Sequence, residues 1–343
     1  MPSMNLLLLT FITAAFSGFF VVLLIRYADK LGFVDIPNQR SAHSKIMPRS
    51  AGLGFVSAVL LTPLLFNFNF FLEYYYVFLA ITVILIAGVL DDKFDVSPKI
   101  KFIFIFIATL MLYMHDLQID SLGSYFGFEI TIPKFLIFIF TFFAIAGFTN
   151  ALNLMDGLDG LAGSIALVMF TSFFAIGWTY NDTLMTNLAA MYMGALIVFL
   201  FFNWNPAKIF MGDSGSLALG FSIALLSIQS LNYVEPTAVL FLLALPIFDT
   251  FIVMRRRIQR GLSPFEADKT HLHHLLYKVK LHVKFTTVML ICMQIIFSIM
   301  GFQMHNADNT LTLILFILFF YIFLNLFDER LQYRKKTEKK QDT

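Results

Sequence analysis

The chain has 343 residues, of which 59% are hydrophobic and only 13% charged, with 43 Phe; an ordinary soluble domain carries about 25% charged residues. This excludes a soluble globular enzyme, and at about 20 apolar residues per membrane crossing, about eleven crossings would leave only short loops. The net charge of +2 says little, because in a membrane protein the position of each basic residue matters more than the sum.

The first apolar run, Met4 to Ile25, has no basic residue before it and no small-residue cleavage pattern after it, so it reads as a retained first span. Further runs follow near 51–71, 73–90, 100–118, 134–152, 161–178, 188–203, 215–231, 237–254, 286–304 and 310–327. The expected fold is an all-α polytopic membrane protein, with one integral-membrane catalytic domain over 1–327 and a basic tail over 328–343. All 24 Lys and Arg except Lys134 fall at one set of alternate span ends. The positive-inside rule places those ends in the cytoplasm, the amino terminus outside and the carboxyl terminus inside. The opposite loops carry Glu73, Asp116, Asp120, Glu129, Asp182, Glu235 and Asp308, read as solvated loop charges. The single Cys292 excludes an intramolecular disulfide and a Cys-based metal site. No internal repeat of the secondary-transporter kind is visible.

Five polar clusters share the basic side. The stretch DIPNQRSAHSKIMPRSAG holds Arg40, His43, Pro48, Arg49 and Gly52, a weak signal alone. In GVLDDKFDVSPKIKF the adjacent Asp91 and Asp92 repel each other unless a cation compensates, and Lys93, Lys99 and Lys101 follow. In NALNLMDGLDGLAGS, Asn150, Asn153, Asp156 and Asp159 recur at steps of three, which a helical turn would line along one face. FNWNPAKIFMGDSGSLALGF strands Phe210 in a polar loop and opens a span on Gly212 and Asp213, where Asp213 reads as a helix cap or as a metal ligand beside a phosphate cradle. The long loop from Arg255 carries Arg256, Arg257, Arg260, His271, His273 and His274. The three histidines allow a metal, but the surrounding Arg and Lys favour an anion, and Arg255 to Arg257 also suit acidic lipid headgroups. Two polar residues sit inside spans: Asp249, within reach of Arg255, and Gln294, expected to bond between helices.

Taken together, GVLDD, NxxNxxDGxDGLAG, NPAxxFMGDxGSLxLG and HxHH resemble the polyprenyl-phosphate N-acetylhexosamine-1-phosphate transferases (glycosyltransferase family 4), most closely their WecA-type GlcNAc-1-phosphate branch. The likeness runs from Asp35 to about Leu276. It implies transfer of GlcNAc-1-phosphate from UDP-GlcNAc to undecaprenyl phosphate, giving undecaprenyl-diphospho-GlcNAc and UMP with Mg²⁺ or Mn²⁺. That reaction is the first membrane step of a cell-envelope polysaccharide of O-antigen, common-antigen or teichoic-acid type, at the bacterial inner membrane.

By the same resemblance Asp213 is the first candidate metal ligand, with Asn153 and Asp156 beside it, and Asp91, Asp92, Asp156 and Asp213 form the catalytic set. One of Asp91 and Asp92 would orient or deprotonate the lipid phosphate. Phe210 would stack on uracil, Asp159 would bond the base edge, and Lys101, His271, His273 and His274 would meet the diphosphate and sugar, with Arg40 and His43 as further substrate contacts. Direct attack by the lipid phosphate is favoured over a phospho-enzyme. The Arg49-Ser50-Ala51-Gly52 segment departs from the family's Gly pair. Another UDP-N-acetylhexosamine, UDP-MurNAc-pentapeptide, or a transporter role are the competing readings. No nucleic-acid partner is implied, and the sequence leaves open whether the chain is a monomer or a homodimer.

Overall fold

The computed structural model describes residues 6–35, 46–263, 272 and 282–327. The candidate residues Arg40, His43, His271, His273 and His274, and the tail from 328, lie outside the described residues.

Every apolar run read from the sequence carries helix: α1 (Leu6–Leu31), α2 (Ala51–Phe66), α3 (Phe68–Glu73), α4 (Tyr75–Phe94), α5 (Pro98–Tyr113), α6 (Lys134–Met155), α7 (Leu161–Tyr180), α8 (Thr183–Asn203), α9 (Asp213–Ser230), α10 (Pro236–Leu242), α11 (Ala244–Gln259), α12 (Val283–Gln303) and α13 (Asn309–Leu326). Six of these, α1, α6, α7, α8, α12 and α13, are long and apolar enough to cross a membrane. The pair α10 and α11, bent by 81°, would make a seventh span. The chain is a mostly helical, polytopic membrane protein.

The all-helical expectation needs correction. Two small antiparallel sheets are present, β1 (Val34–Asp35) with β2 (Met47–Pro48), and β3 (Ser121–Tyr125) with β4 (Phe128–Thr131). Phe126 at φ 50° and Gly127 at φ 82° turn the second hairpin, as a tight turn with two left-handed residues requires. The run at 51–71 is split at Asn67 into α2 and α3, and the run at 73–90 continues to Phe94, so that Asp91 and Asp92 occupy the last turns of α4.

The run at 237–254 breaks at Leu243, three residues before Pro246, which has no N–H to give an unbroken helix. Gln294 repairs this break. Its Nε2 donates to Leu242 O at 2.7 Å and its Oε1 accepts the Leu245 N–H at 3.3 Å. Asp249, in α11, accepts the Leu272 N–H through Oδ1 at 2.7 Å.

Several of the acids read as solvated have structural partners, the exposed Asp308 capping α13 through the Leu311 N–H (2.9 Å). Asp182 is 7% exposed, caps α8 through the Met185 N–H (2.7 Å), and also accepts from Gln229 Nε2 (2.6 Å) and Tyr233 OH (2.9 Å). Glu235 accepts from Asn309 Nδ2.

Helix α9 is the axis of the molecule: every residue from Ser214 to Ile228 is buried, against α2, α4, α6 and α7. Its many Gly, Ala and Ser residues give it a poor apolar signature but let neighbouring backbones come close. A Cβ on Gly220 would lie 2.8 Å from Thr149 Cα of α6. Two of its buried hydroxyls are satisfied, with Ser222 Oγ 2.7 Å from the fully buried Tyr192 hydroxyl and Ser227 Oγ donating to Ile223 O at 2.7 Å.

Candidate active site at the ends of the central helices

The first turn of α9 organises the site. Gly212 adopts φ 74°, ψ 172°, a region essentially reserved for glycine, and a Cβ there would fall 2.6 Å from Asp92 Oδ2. The missing side chain lets the Asp92 carboxylate sit over the helix N-terminus. Asp92 Oδ1 accepts the Asp213 N–H at 2.7 Å, and Oδ2 accepts the Ser214 N–H at 3.1 Å. A carboxylate here is favoured both by the free N–H groups and by the helix dipole. Asp92 therefore caps α9 from another helix, and Asp213, the first residue of α9, is not its own helix's cap.

The same carboxylate receives two more donors. Ser50 Oγ donates to Oδ2 at 2.7 Å, and Arg49 Nε lies 3.0 Å from Oδ1. Ser50 is fully buried and left-handed at φ 72°. That conformation is costly for a non-glycine residue, and it turns the chain so that Arg49 and Ser50 both reach Asp92. With four donors Asp92 has no lone pair in need of a partner.

Glycines bring the three helix ends together. A Cβ on Gly52 of α2 would fall 1.9 Å from Gly215 N, and one on Gly88 of α4 would fall 2.4 Å from Ser214 Cα. Backbone bonds seal the loop before α9 to α2: Phe210 N–H to Pro48 O (2.9 Å), Ala51 N–H to Phe210 O (3.0 Å) and Gly52 N–H to Met211 O (2.9 Å).

Asp213 gathers the remaining polar groups. Its Oδ1 accepts from Asn153 Nδ2 at 2.5 Å, and its Oδ2 lies 3.0 Å from Arg49 Nη2 and 3.7 Å from Lys101 Nζ. Asn153 Nδ2 also donates to Ser216 Oγ at 2.7 Å. Lys101 Nζ is 2.5 Å from Asp91 Oδ2, while Asp91 Oδ1 is buried without a hydrogen-bond partner. Asp91 and Asp213 compete for charge. Hydrogen bonds and the nearby cations hold Asp213 below the usual carboxylate range although burial opposes this. Burial and Asp213 raise Asp91 to about 7 against the pull of Lys101.

Asp156 ends α6 rather than lying on its face. It is raised to about 7, by burial first and then by Asp213 and Asp92. The single helical face expected for Asn150, Asn153, Asp156 and Asp159 is not formed, since α6 stops at Met155. Asn150 is exposed. Asp159 lies in the following loop, where its Oδ2 accepts from Asn205 Nδ2 (2.8 Å) and the Ala207 N–H (3.1 Å), bracing the loop that leads to the half-buried Phe210.

Asp91, Asp92, Lys101, Asn153, Asp156 and Asp213 thus converge, as their clustering in the sequence predicted. Arg49, named in the weak cluster after the first span but given no role there, joins them together with Ser50. Their only sequence signal was a cation and a hydroxyl directly before an apolar run. Among the described residues no three His, Cys, Asp or Glu side chains form a metal cage by themselves.

Comparison with known proteins places this geometry. The model of glycosyl transferase family 4 matches residues 74–231, the stretch that supplies Asp91, Asp92, Lys101, Asn153, Asp156 and Asp213. The chain is 33% identical over 301 residues to a Bacillus subtilis (strain 168) protein named "Probable undecaprenyl-phosphate N-acetylglucosaminyl 1-phosphate transferase", covering 87% of this chain and 84% of the relative. The chain belongs to glycosyl transferase family 4. Proteins of Salmonella typhi and Escherichia coli (strain K12), each named "Undecaprenyl-phosphate alpha-N-acetylglucosaminyl 1-phosphate transferase", are 29% and 28% identical, each covering 90% of this chain and 87% of the relative. The relatives named here are, by their names, enzymes of sugar-1-phosphate transfer, and this chain is an enzyme of that kind.

Proposed function

We propose that this enzyme transfers GlcNAc-1-phosphate from UDP-GlcNAc to undecaprenyl phosphate, forming undecaprenyl-diphospho-GlcNAc and releasing UMP. The observation that carries this reading is the meeting of Asp91, Asp213, Lys101 and Arg49 at the ends of packed apolar helices, an arrangement of acids and cations suited to phosphate groups. Supporting it, the relatives that cover most of the chain bear the name of this reaction.

Chemically, an oxygen of the lipid phosphate attacks the β-phosphorus of the donor, and the bond from that phosphorus to the bridging oxygen breaks, with UMP leaving. Such a reaction needs positioning and charge neutralisation more than covalent help. Asp91 is the proposed base, because Asp92 is fully engaged as a helix cap and Asp91 retains an unpaired oxygen. Lys101 keeps Asp91 oriented and faces the incoming phosphate. Phe210 and Asp159 are proposed to receive the uracil, and His271, His273, His274, Arg40 and His43 to complete the diphosphate and sugar contacts.

A divalent cation, Mg²⁺ or Mn²⁺, fits the donor set. Among the described residues the site offers carboxylate and amide oxygens as ligands, which suits a hard cation, and Mg²⁺ commonly takes one or two carboxylates, with water and substrate phosphate filling its shell. Asp213, with Asn153 and Asp156 nearby, would hold it. The charge balance agrees: four aspartates meet Arg49 and Lys101, and an arriving diphosphate adds more negative charge. When bound, the cation would neutralise the diphosphate and the leaving UMP.

The charge asymmetry of the sequence supports a bacterial inner-membrane enzyme with about eleven crossings, its site facing the cytoplasm and its first 327 residues forming one catalytic domain. A transporter would gather its polar groups near the bilayer midplane, whereas these lie at helix ends. Labelled GlcNAc moving from UDP-GlcNAc into a solvent-extractable lipid tests the donor assignment. Transfer from UDP-MurNAc-pentapeptide or another UDP-N-acetylhexosamine alone would overturn it.

A further inference from the structure

We infer that Arg49 is a substrate-binding residue that takes a phosphate group on the outer edge of its guanidinium while its inner edge stays fixed to Asp92 and Asp213. This deepens the transferase reading and rests on it for the identity of the phosphate.

Three observations carry the inference. First, Arg49 is held in place before any ligand arrives. Its backbone N–H donates to Phe33 O at 2.9 Å, the preceding Pro48 carbonyl accepts the Phe210 N–H, and the following Ser50 is locked in a left-handed turn. Second, its donors are only partly used. A guanidinium carries five N–H groups in a planar fork. Nε meets Asp92 Oδ1 and one Nη2 hydrogen meets Asp213 Oδ2, each at 3.0 Å, which among the described residues leaves both Nη1 hydrogens and the second Nη2 hydrogen. That pair of nitrogens is the edge that matches two oxygens of a phosphate. Third, 32% of the Arg49 side chain remains exposed beside Asp92, which is completely buried.

Four aspartates, Asp92, Asp213, Asp35 and Asp91, act on the Arg49 guanidinium, and other groups meet part of their charge. Asp92 is neutralised largely by the α9 N-terminus and Ser50, and Lys101 shares Asp213 Oδ2. A brace whose only task was to pair the two carboxylates would need neither the spare fork nor the exposure. Because Arg49 neighbours both the Phe210 loop and Asp91, the phosphate is either the donor's diphosphate or the lipid's monophosphate.

The test compares Arg49→Lys and Arg49→Met with wild type in purified, detergent-solubilised full-length protein. KM is measured separately for UDP-GlcNAc and for undecaprenyl phosphate, and thermal unfolding is followed with and without inorganic diphosphate. The expected result is a KM about 10- to 100-fold higher for one of the two substrates in both variants, with the other KM within about twofold. The substrate affected identifies the source of the phosphate. Inorganic diphosphate should raise the unfolding temperature of wild type more than that of either variant.

Full recovery by Arg49→Lys would overturn the inference, because a point charge would then suffice. So would variants with lowered unfolding temperature and kcat but both KM values unchanged, the signature of a purely structural brace. Were wild type inactive with every UDP-sugar, the transferase reading would fail, and the diphosphate-induced stabilisation would still decide whether Arg49 binds phosphate. If Arg49→Met fails to fold, Arg49→Lys alone separates a fork from a charge.

Discussion

Asp92 Oδ1 accepts the backbone N–H of Asp213 at 2.7 Å, so one member of the acidic pair is the cap of the helix that begins with the other key aspartate. The pair is therefore divided in labour. Asp92 builds the site, and Asp91, with a buried oxygen that no protein donor meets, is left for chemistry.

Substitution should separate the two. Asp92→Ala strands Arg49 and two helix N–H groups, and breaking a buried charged network of this kind costs about 3–5 kcal/mol; thermal unfolding in detergent should show a large drop together with loss of transfer. Asp91→Asn keeps shape and removes the base. It should unfold near the wild-type temperature while UMP release falls about 100-fold or more. Equal destabilisation by both changes would refute the division.

The raised Asp91 carboxyl makes a pH prediction. A base must be ionised to work, and with Asp91 near 7 in the free protein kcat/KM should climb about tenfold per pH unit below that value and level off above it. A flat profile from pH 5 to 8 would remove Asp91 from the role.

Asp156 supplies a prediction about stability rather than rate. Its folded-state pKa, about 7, lies above the ordinary value of 3.8. The folded protein thus binds this proton more tightly than the unfolded chain, and stability is lost as pH rises from about 4 to about 7. Without divalent metal, Asp156→Asn should unfold at a higher temperature than wild type at pH 8, with a smaller gain at pH 5. No gain at pH 8 would show that the carboxylate is already compensated.

Close helix contact is open to test at glycines. Gly52→Ala places a methyl 1.9 Å from Gly215 N, and backbone has no rotamer with which to yield, so α2 and α9 must separate and transfer should be lost. Gly147→Ala, which meets nothing within 4 Å, should be silent. Similar activity in both variants would mean that the α9 end tolerates displacement.

Much of this was legible in sequence because membrane burial leaves strong marks. Long Phe-rich runs foretold the helices, and acids crowded at span ends foretold which residues would meet. Gln294 is legible as an interhelical hydrogen-bonding group, for an amide in an apolar run must find a partner. Other features were hidden for physical reasons. The break at Leu243 lies inside a continuous apolar run, where hydropathy alone is blind to the N–H that Pro246 lacks. Asp182 looked like any loop acid, since its partners Gln229 and Tyr233 are remote in sequence. Arg49 was obscured in the same way: its meaning comes from Asp92 and Asp213, which only the packing of α2, α4 and α9 brings to it.

The most direct measurement is UMP release from UDP-GlcNAc by the purified protein, with undecaprenyl phosphate and Mg²⁺ both present and then each omitted. The account predicts release only in the complete mixture, together with one lipid-linked GlcNAc for each UMP. Release that continues without the lipid, or none from the complete mixture, would contradict it.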